Sequence, residues 1–331
     1  MEFSQASKVL VPNRVTEPCN TSGKKPIVSV AIPTFNRPTG LATTLADIQS
    51  QTYTDLEILI GDNASTDPEV RAICDRARAA DHRIVVLRHD SNLGASANFF
   101  ALLAAAEGDF FMWAADDDRH EPEFVATCLE PFLNDSTGKL ACVMTGGSVY
   151  NHVSHERSTP AIPTITATDS TSSSVLKLLL CPYPAMIYGL FRRAALLEVG
   201  VGSFDWADCF LPLNLLFRGY RVETKPDCYS YTAGILSLEY TPKPVVAKTG
   251  RLFTYTPFLL STLLAIWSST HVSFATRGRA TIAAVHFSVT CFQQWEKHNQ
   301  PLRWWFNAIV LSPVLRVLNK VMNSLWIKPC R

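Results

Sequence analysis

The first 120 residues alternate between short apolar runs and segments with helical spacing, and this alternation limits the possible folds more than any other feature. The runs are PIVSVAIP (26–33), LEILIGDN (56–63), RIVVLRH (83–89) and DFFMWAA (109–115). Each is rich in the β-branched or aromatic residues that form buried strands. Helical patterns follow these runs, and the first pattern carries Leu41, Leu45 and Ile48 on one face. Four alternations predict an α/β fold with a mostly parallel sheet and helices on both faces.

Clusters of mainly polar residues stand at the carboxyl ends of three predicted strands. They are Thr34, Phe35, Asn36 and Arg37 after the first strand, Asp62 and Asn63 after the second, and Asp116, Asp117 and Asp118 after the fourth. In open α/β sheets, ligands bind outside the carboxyl ends of the strands. We therefore expect the three clusters to converge on one edge of the sheet.

The three adjacent aspartates at 116–118 have two interpretations. They fit a solvated turn before a helix, since Pro122 marks a helix start just beyond them. They also follow a very apolar strand, where Asp116 and Asp118 point the same way from an extended chain. Mg²⁺ and Mn²⁺ prefer carboxylate oxygens together with phosphate oxygens. The triplet therefore predicts that Asp116 and Asp118 hold one of these ions against a diphosphate.

Two further loops have a structural and a functional interpretation. Asp62 in IGDNASTD fits an ordinary Asx turn, or a carboxylate that accepts hydrogen bonds from a base N–H or from ribose hydroxyls. The segment SNLGASAN (91–98) fits a turn capped by Asn92 and Gly94. It also fits a loop whose backbone approaches a ligand closely, with Asn98 on the helix that follows.

Four motifs occur in a fixed order over residues 26–125: VSVAIPTFNRP, LEILIGDNASTD, SNLGASANFFALLAAAEGDFF and ADDD. Together they resemble the family 2 glycosyltransferases, an inverting group with the GT-A fold. The resemblance implies a nucleotide-sugar donor, most simply a UDP-sugar, with Asp116 and Asp118 as the metal ligands of a D-x-D motif. The sequence departs from the family pattern at Asn63, where a second Asp is common, and at Ala115, where many members have an acidic residue. The expected nucleotide-sugar contacts are Pro33, Thr34, Phe35, Asn36, Arg37, Asp62, Asn63, Asn92, Gly94, Asn98, Asp116 and Asp117.

The second half of the chain is expected to supply a general base. A single displacement at the anomeric carbon requires the acceptor hydroxyl to lose its proton as it attacks. The stretch FDWADCFLPLNLLFRGYRVETKPD (204–227) resembles the family's acidic helix start and apolar helix. Counting back from Gly219 places Asp208 at the family's catalytic carboxylate, and Asp205 is the alternative. Either carboxylate also suits a helix N-cap, and Trp206 is expected to stack on the acceptor sugar.

The last part of the chain is basic. From Lys243 onwards there are eleven Lys and Arg residues and one acidic residue, Glu296, although the whole chain has a net charge of only +1. In VLRVLNKVMNSLWIK (314–328) apolar residues form one helical stripe and basic or amide residues face away. This pattern predicts a helix that lies on an anionic membrane surface. Two alternatives are a helical cap packed on the catalytic domain and a membrane-spanning helix at 252–276, which has no charged residue.

These observations predict a disordered leader (1–25), a GT-A glycosyltransferase domain (26–242) and a basic amphipathic helical tail (243–331) that associates with the membrane. Nine cysteines without a C-x-x-C pair favour reduced thiols in a cytosolic setting. We expect a metal-assisted, inverting transferase that is peripheral to the cytoplasmic face of the membrane and glycosylates a glycan or glycolipid in bacterial surface-polysaccharide synthesis. A sugar nucleotidyltransferase and a non-catalytic nucleotide-sugar-binding subunit are the alternatives. Nothing suggests nucleic-acid binding.

Overall fold

The computed structural model describes residues 25–151, 156–181, 183–200, 207–233, 256–299 and 316–320. Its strands are β1 (Val28–Thr34), β2 (Leu56–Asp62), β3 (Ile84–Arg88), β4 (Phe110–Trp113), β5 (Arg119–His120), β6 (Leu140–Asn151), β7 (Glu156–Ser158), β8 (Leu190–Arg192) and β9 (Arg221–Ala233). Its helices are α1 (Pro38–Gln49), α2 (Pro68–Ala80), α3 (Ala95–Ala105), α4 (Phe124–Leu133), α5 (Thr171–Leu180), α6 (Arg193–Val199), α7 (Ala207–Phe217), α8 (Thr256–Ser268) and α9 (Phe274–Asn299). A 3-10 helix spans Pro184–Tyr188, and residues 316–320 are helical.

The strands form one mixed sheet in the order β3-β2-β1-β4-β8-β6-β9-β5, with β7 on β6. Strands β1 to β4 are the four predicted from the sequence, and their mutual pairings are all parallel. Every residue of β1 is buried, as expected for a strand with helices on both faces. The short strand β8 pairs antiparallel with both β4 and β6, whereas β6 and β9 are parallel. The predicted α/β fold is confirmed, with antiparallel pairs in its second half.

The carboxyl ends of β1, β2 and β3 lie in register at one edge of the sheet. Thr34 pairs with Asp62, and Asp62 pairs with Arg88 at the end of β3. The backbone of Ala114, just after β4, donates to the carbonyl of Ala31 in β1. The polar clusters predicted to converge are therefore neighbours along one edge of the sheet.

Helices α8 and α9 pack on the α/β domain through α7 and α5. Phe258, Ile266 and Phe287 are buried in the same hydrophobic core as the central strands. This part of the predicted tail is a helical cap, which was one of the alternatives. Across the ranges that the structure describes, no helix has the length and apolar character needed to cross a membrane. The leader up to residue 24 and most of the 314–328 stripe lie outside the described residues.

Candidate active site

The acidic triplet meets the loop after β1 through a buried hydrogen-bond network. The Thr34 hydroxyl donates to Asp116 Oδ2 (2.8 Å), and the Arg37 guanidinium donates to Asp116 Oδ1 (2.8 Å). Arg37 also lies 3.2 Å from Asp117 Oδ2. Burial raises the pKa of Asp116 to about 6, although Arg37 and Thr34 act to lower it. One guanidinium therefore compensates the charge of two neighbouring carboxylates at the sheet edge.

The three aspartates differ in accessibility. Asp116 and Asp118 are buried, whereas the side chain of Asp117 is 24% exposed. Both Asp116 oxygens already accept hydrogen bonds, from Thr34 and Arg37. Asp117 is consequently the carboxylate of the triplet that is most open to a ligand.

The triplet suits a hard divalent cation by its chemistry. Within the residues described, no three His, Cys, Asp or Glu side chains are grouped so as to hold a metal ion by themselves. Mg²⁺ or Mn²⁺ in phosphate sites needs only one or two carboxylates, because substrate phosphates and water complete its coordination. The donor set therefore fits an ion that binds together with a diphosphate, and the assignment of Asp116 and Asp118 as its ligands stays a prediction.

A second group of polar side chains surrounds the end of β2. Asp62 is buried, and its carboxylate accepts from the Ser65 backbone N–H (2.9 Å) and from Arg88 Nε (3.1 Å). The Asn98 amide donates to the Gly61 carbonyl (2.8 Å), which ties helix α3 to β2. No motif singles out Arg88, because an arginine at a strand end is mostly exposed in proteins. Its register position beside Asp62 identifies it as part of this site.

Three other predicted asparagines and one predicted glycine shape the loops around this group. Asn36 has a positive φ of 54°, and its Oδ1 accepts the backbone N–H groups of Thr66 (2.8 Å) and Asp67 (3.1 Å). Asn63 donates to Asn92 Oδ1 (3.1 Å), which also accepts the Gly94 N–H (2.8 Å). The amide groups of these asparagines hold neighbouring loops in place, which fits the turn interpretation of the loops after β2 and before α3.

Phe35 and Pro33 complete the first loop. Pro33 is buried in β1, beside Gly61 of β2. Phe35 is 39% exposed at the same sheet edge. An aromatic ring in this position is available to a ligand on its solvent side, and its contact with the nucleotide stays a prediction.

Asp208 lies in the first turn of α7 and is partly buried. Its Oδ1 accepts the backbone N–H of Cys209 (2.8 Å), and burial raises its pKa. The pKa of Tyr188 is raised by burial and, to a smaller extent, by the negative charges of Asp118, Asp117, Asp208 and Asp116. All four carboxylates therefore lie near enough to this tyrosine to influence its charge. Asp205 and Trp206 lie outside the described residues.

The chain is similar in sequence to a protein family and to several curated proteins. Residues 29–200, just over half of the chain, match the family described as Glycosyl transferase family 2. Abequosyltransferase RfbV of Salmonella typhimurium is 32% identical over 118 residues, which is 35% of each protein. A GalNAc(5)-diNAcBac-PP-undecaprenol beta-1,3-glucosyltransferase of Campylobacter jejuni is 34% identical over 94 residues, 28% of this chain and 30% of that one. Chondroitin synthase of Escherichia coli is 31% identical over 125 residues, 38% of this chain and 18% of that one.

Solved structures show the same fold. The crystal structure of S. aureus TarS 1-349 superimposes with a TM-score of 0.61 at 14% identity, over 85% of this chain and 76% of that one. The same protein in complex with UDP-GlcNAc gives a TM-score of 0.58 at 15% identity, over 85% and 79%. The curated relatives named above are matched over less than two fifths of their own length. On its fold and on the match over residues 29–200, the chain belongs to glycosyltransferase family 2 and is a glycosyltransferase with a GT-A-like fold.

Proposed function

We propose that the protein transfers a sugar from a UDP-sugar to a hydroxyl group of a lipid-linked glycan, with inversion at the anomeric carbon. The observation that carries this proposal is the meeting of the triplet, the first loop and the Asp62 group at one sheet edge. The S. aureus protein of similar fold was crystallised with UDP and with UDP-GlcNAc. The Campylobacter relative is named for an undecaprenol-linked substrate. Both names support, by analogy, the donor and acceptor classes proposed here.

The donor would lie along the carboxyl ends of β1, β2 and β4. Asp62 would accept hydrogen bonds from the base or ribose, and Arg88 would keep this carboxylate oriented. The diphosphate would lie towards the triplet, where Asp116 and Asp118 would hold Mn²⁺ or Mg²⁺. Such an ion, when bound, neutralises charge that develops on the leaving diphosphate. Arg37 provides a fixed positive charge at the same place.

Asp208 is proposed as the general base. Burial raises its pKa, which makes it a better proton acceptor than an exposed carboxylate. In one displacement, the acceptor oxygen forms a bond to the anomeric carbon as the bond from that carbon to the diphosphate oxygen breaks. The proton of the acceptor hydroxyl passes to Asp208, and UDP leaves. Asp205 remains the alternative base.

A screen of nucleotide sugars tests the donor class. In Mn²⁺, the melting temperature of the purified protein should rise when one or more UDP-sugars are added. UDP should be released when a lipid-linked glycan is then supplied. Stabilisation without any UDP release across a range of acceptors would support a binding subunit instead. No stabilisation by any nucleotide sugar would contradict the proposal.

We also propose that the protein is peripheral to the cytoplasmic face of the membrane. Helix α8 exposes Leu260, Leu264 and Trp267 along one side, and Phe274 at the start of α9 is exposed beside Trp267. These residues, with the eleven basic residues after position 242, match the apolar and cationic chemistry of an interfacial surface.

Flotation with vesicles that contain phosphatidylglycerol tests this attachment. Leu264→Glu should reduce binding, and high salt should reduce the remainder. Leu133→Glu, at another exposed leucine on the catalytic domain, is the matched control. Equal binding by both variants would contradict attachment through this surface.

A further inference from the structure

One face of helix α1 holds the segment that carries the acidic triplet, residues 115–121, which we call the triplet segment. The Thr44 hydroxyl lies 3.2 Å from the carbonyl oxygens of both Ala115 and Asp118. The Gln51 side chain donates to the Glu121 carbonyl (2.8 Å) and accepts the Val125 N–H (3.0 Å). These two side chains fix both ends of the segment by hydrogen bonds to its backbone.

Asp47 holds the middle of the same segment. Its carboxylate accepts from Arg119 Nε (2.6 Å) and Nη2 (2.8 Å), and also from the His120 backbone N–H (3.1 Å). A bidentate pair with arginine is among the stronger and more directional hydrogen-bonded contacts in proteins. The Asp47 side chain is only 11% exposed, so the loss of its charge leaves Arg119 without its main partner.

The spacing of these residues explains how one helix reaches the whole segment. Positions 44, 47 and 51 lie on the same face of an α-helix. Gly40, one turn earlier, faces the Asp116 carbonyl so closely that a Cβ there would lie 2.0 Å from its oxygen. Between β4 and β5 the triplet itself has no strand or helix. The course of its backbone is therefore determined largely by α1.

We propose that Asp47 is a positioning residue for donor binding: through Arg119 and the His120 backbone it fixes the triplet at the place where the donor diphosphate binds. Asp47 itself does not touch the donor. This inference rests on the proposed function, because it assumes that the triplet faces a nucleoside diphosphate. It also predicts a division within the site, since the Asp62 group is held by β2, β3 and α3 rather than by α1.

The chain offers a matched control for Asp47. Asp81 accepts from Arg83 Nε (3.0 Å), Nη2 (2.8 Å) and the Arg83 backbone N–H (3.1 Å), and its side chain is also 11% exposed. This pair joins the end of α2 to the start of β3, at the opposite edge of the sheet. Asp47→Asn and Asp81→Asn thus remove the same charge from the same kind of pair, and only the first pair contacts the triplet segment.

The first measurement is hydrogen exchange of the unliganded protein, which requires no assumption about function. Asp47→Asn should increase amide exchange over residues 115–121, because local openings become more frequent where tertiary contacts are lost. Asp81→Asn should leave exchange in this segment unchanged. Unchanged exchange at 115–121 in Asp47→Asn would overturn the inference.

The second measurement is calorimetric titration with UDP in Mn²⁺ and, separately, with uridine. Asp47→Asn should weaken UDP binding by about 10-fold or more, because the segment is no longer held by a charge-assisted hydrogen-bonded pair, and should leave uridine binding unchanged. Asp81→Asn should change neither affinity, even where it lowers the melting temperature. Equal weakening of UDP and uridine, or wild-type UDP affinity in Asp47→Asn, would overturn the positioning role. Absence of UDP binding in the wild-type protein would instead overturn the proposed function, and the exchange result would still decide whether Asp47 holds the segment.

Discussion

Gly40 offers a sharp test of how tightly α1 and the triplet segment fit. A Cβ at this position would lie 2.0 Å from the Asp116 carbonyl oxygen, whereas real Cβ contacts essentially never fall below 3.0 Å. Gly40→Ala therefore has to separate the helix and the Asp116 backbone by about 1 Å. Overpacking of this kind costs about 1–3 kcal/mol. A misplacement of about 1 Å in an active site can also lower the reaction rate by about 10²-fold, and it moves the Asp116 backbone away from the place proposed for the diphosphate.

Gly278 in α9 provides the control for the same chemical change. Nothing lies within 4 Å of the position of a Cβ there. Alanine is favoured over glycine in a helix interior by about 1 kcal/mol, so Gly278→Ala should stabilise the protein. The two substitutions are thus expected to change the free energy of unfolding in opposite directions.

Urea unfolding and UDP titration of both variants provide the assay. Gly40→Ala should lose about 1–3 kcal/mol of stability and most of its UDP affinity, while Gly278→Ala keeps wild-type affinity. If Gly40→Ala is as stable as Gly278→Ala and binds UDP normally, the triplet segment relaxes freely and its position is not set by α1.

Two further predictions concern the triplet. Asp118→Ala should abolish the part of the UDP affinity that depends on Mn²⁺ and should leave the fold intact. The test compares UDP affinity in Mn²⁺ with UDP affinity in EDTA. If the variant shows the same difference as the wild type, Asp118 is not a metal ligand. The raised pKa of Asp116, about 6 against a usual 3.8, means that the folded protein binds this proton more tightly than the unfolded chain does. The contribution of Asp116 to stability is therefore present at low pH and falls as the pH rises from about 4 to about 6. Asp116→Asn removes this titration, and two pKa units correspond to about 3 kcal/mol. Between pH 4 and pH 7, the unfolding free energy of the variant should therefore increase by about 3 kcal/mol relative to that of the wild type. Parallel pH profiles of the two proteins would contradict the assignment.

The convergence of Thr34, Asp62 and Asp116 was predictable because it follows from local patterns. Parallel strands place their carboxyl ends together, so apolar runs followed by polar residues are sufficient to locate the site. The roles of the four asparagines were less evident, because their amides serve turns and neighbouring loops. The sequence alone does not separate these uses from ligand contacts.

Asp47 and Arg88 could not be predicted for a different reason. Asp47 looks like one polar position of an amphipathic helix, and its partner Arg119 is 72 residues away. Arg88 gains its meaning only from the register of β3 against β2. Strand β6 also escaped prediction, since LACVMTGGSVYN has neither clear alternation nor an unbroken apolar run. Long-range packing decides all three.

The base assignment is tested most directly by Asp208→Asn with the donor and acceptor identified in the nucleotide-sugar screen. The variant should bind the UDP-sugar like the wild type, because its amide keeps the shape of the carboxylate. Its turnover number should fall by about 10²- to 10⁴-fold, the usual contribution of a general base. Near-normal turnover in Asp208→Asn would contradict the account, and an inactive Asp205→Asn beside it would move the base to Asp205.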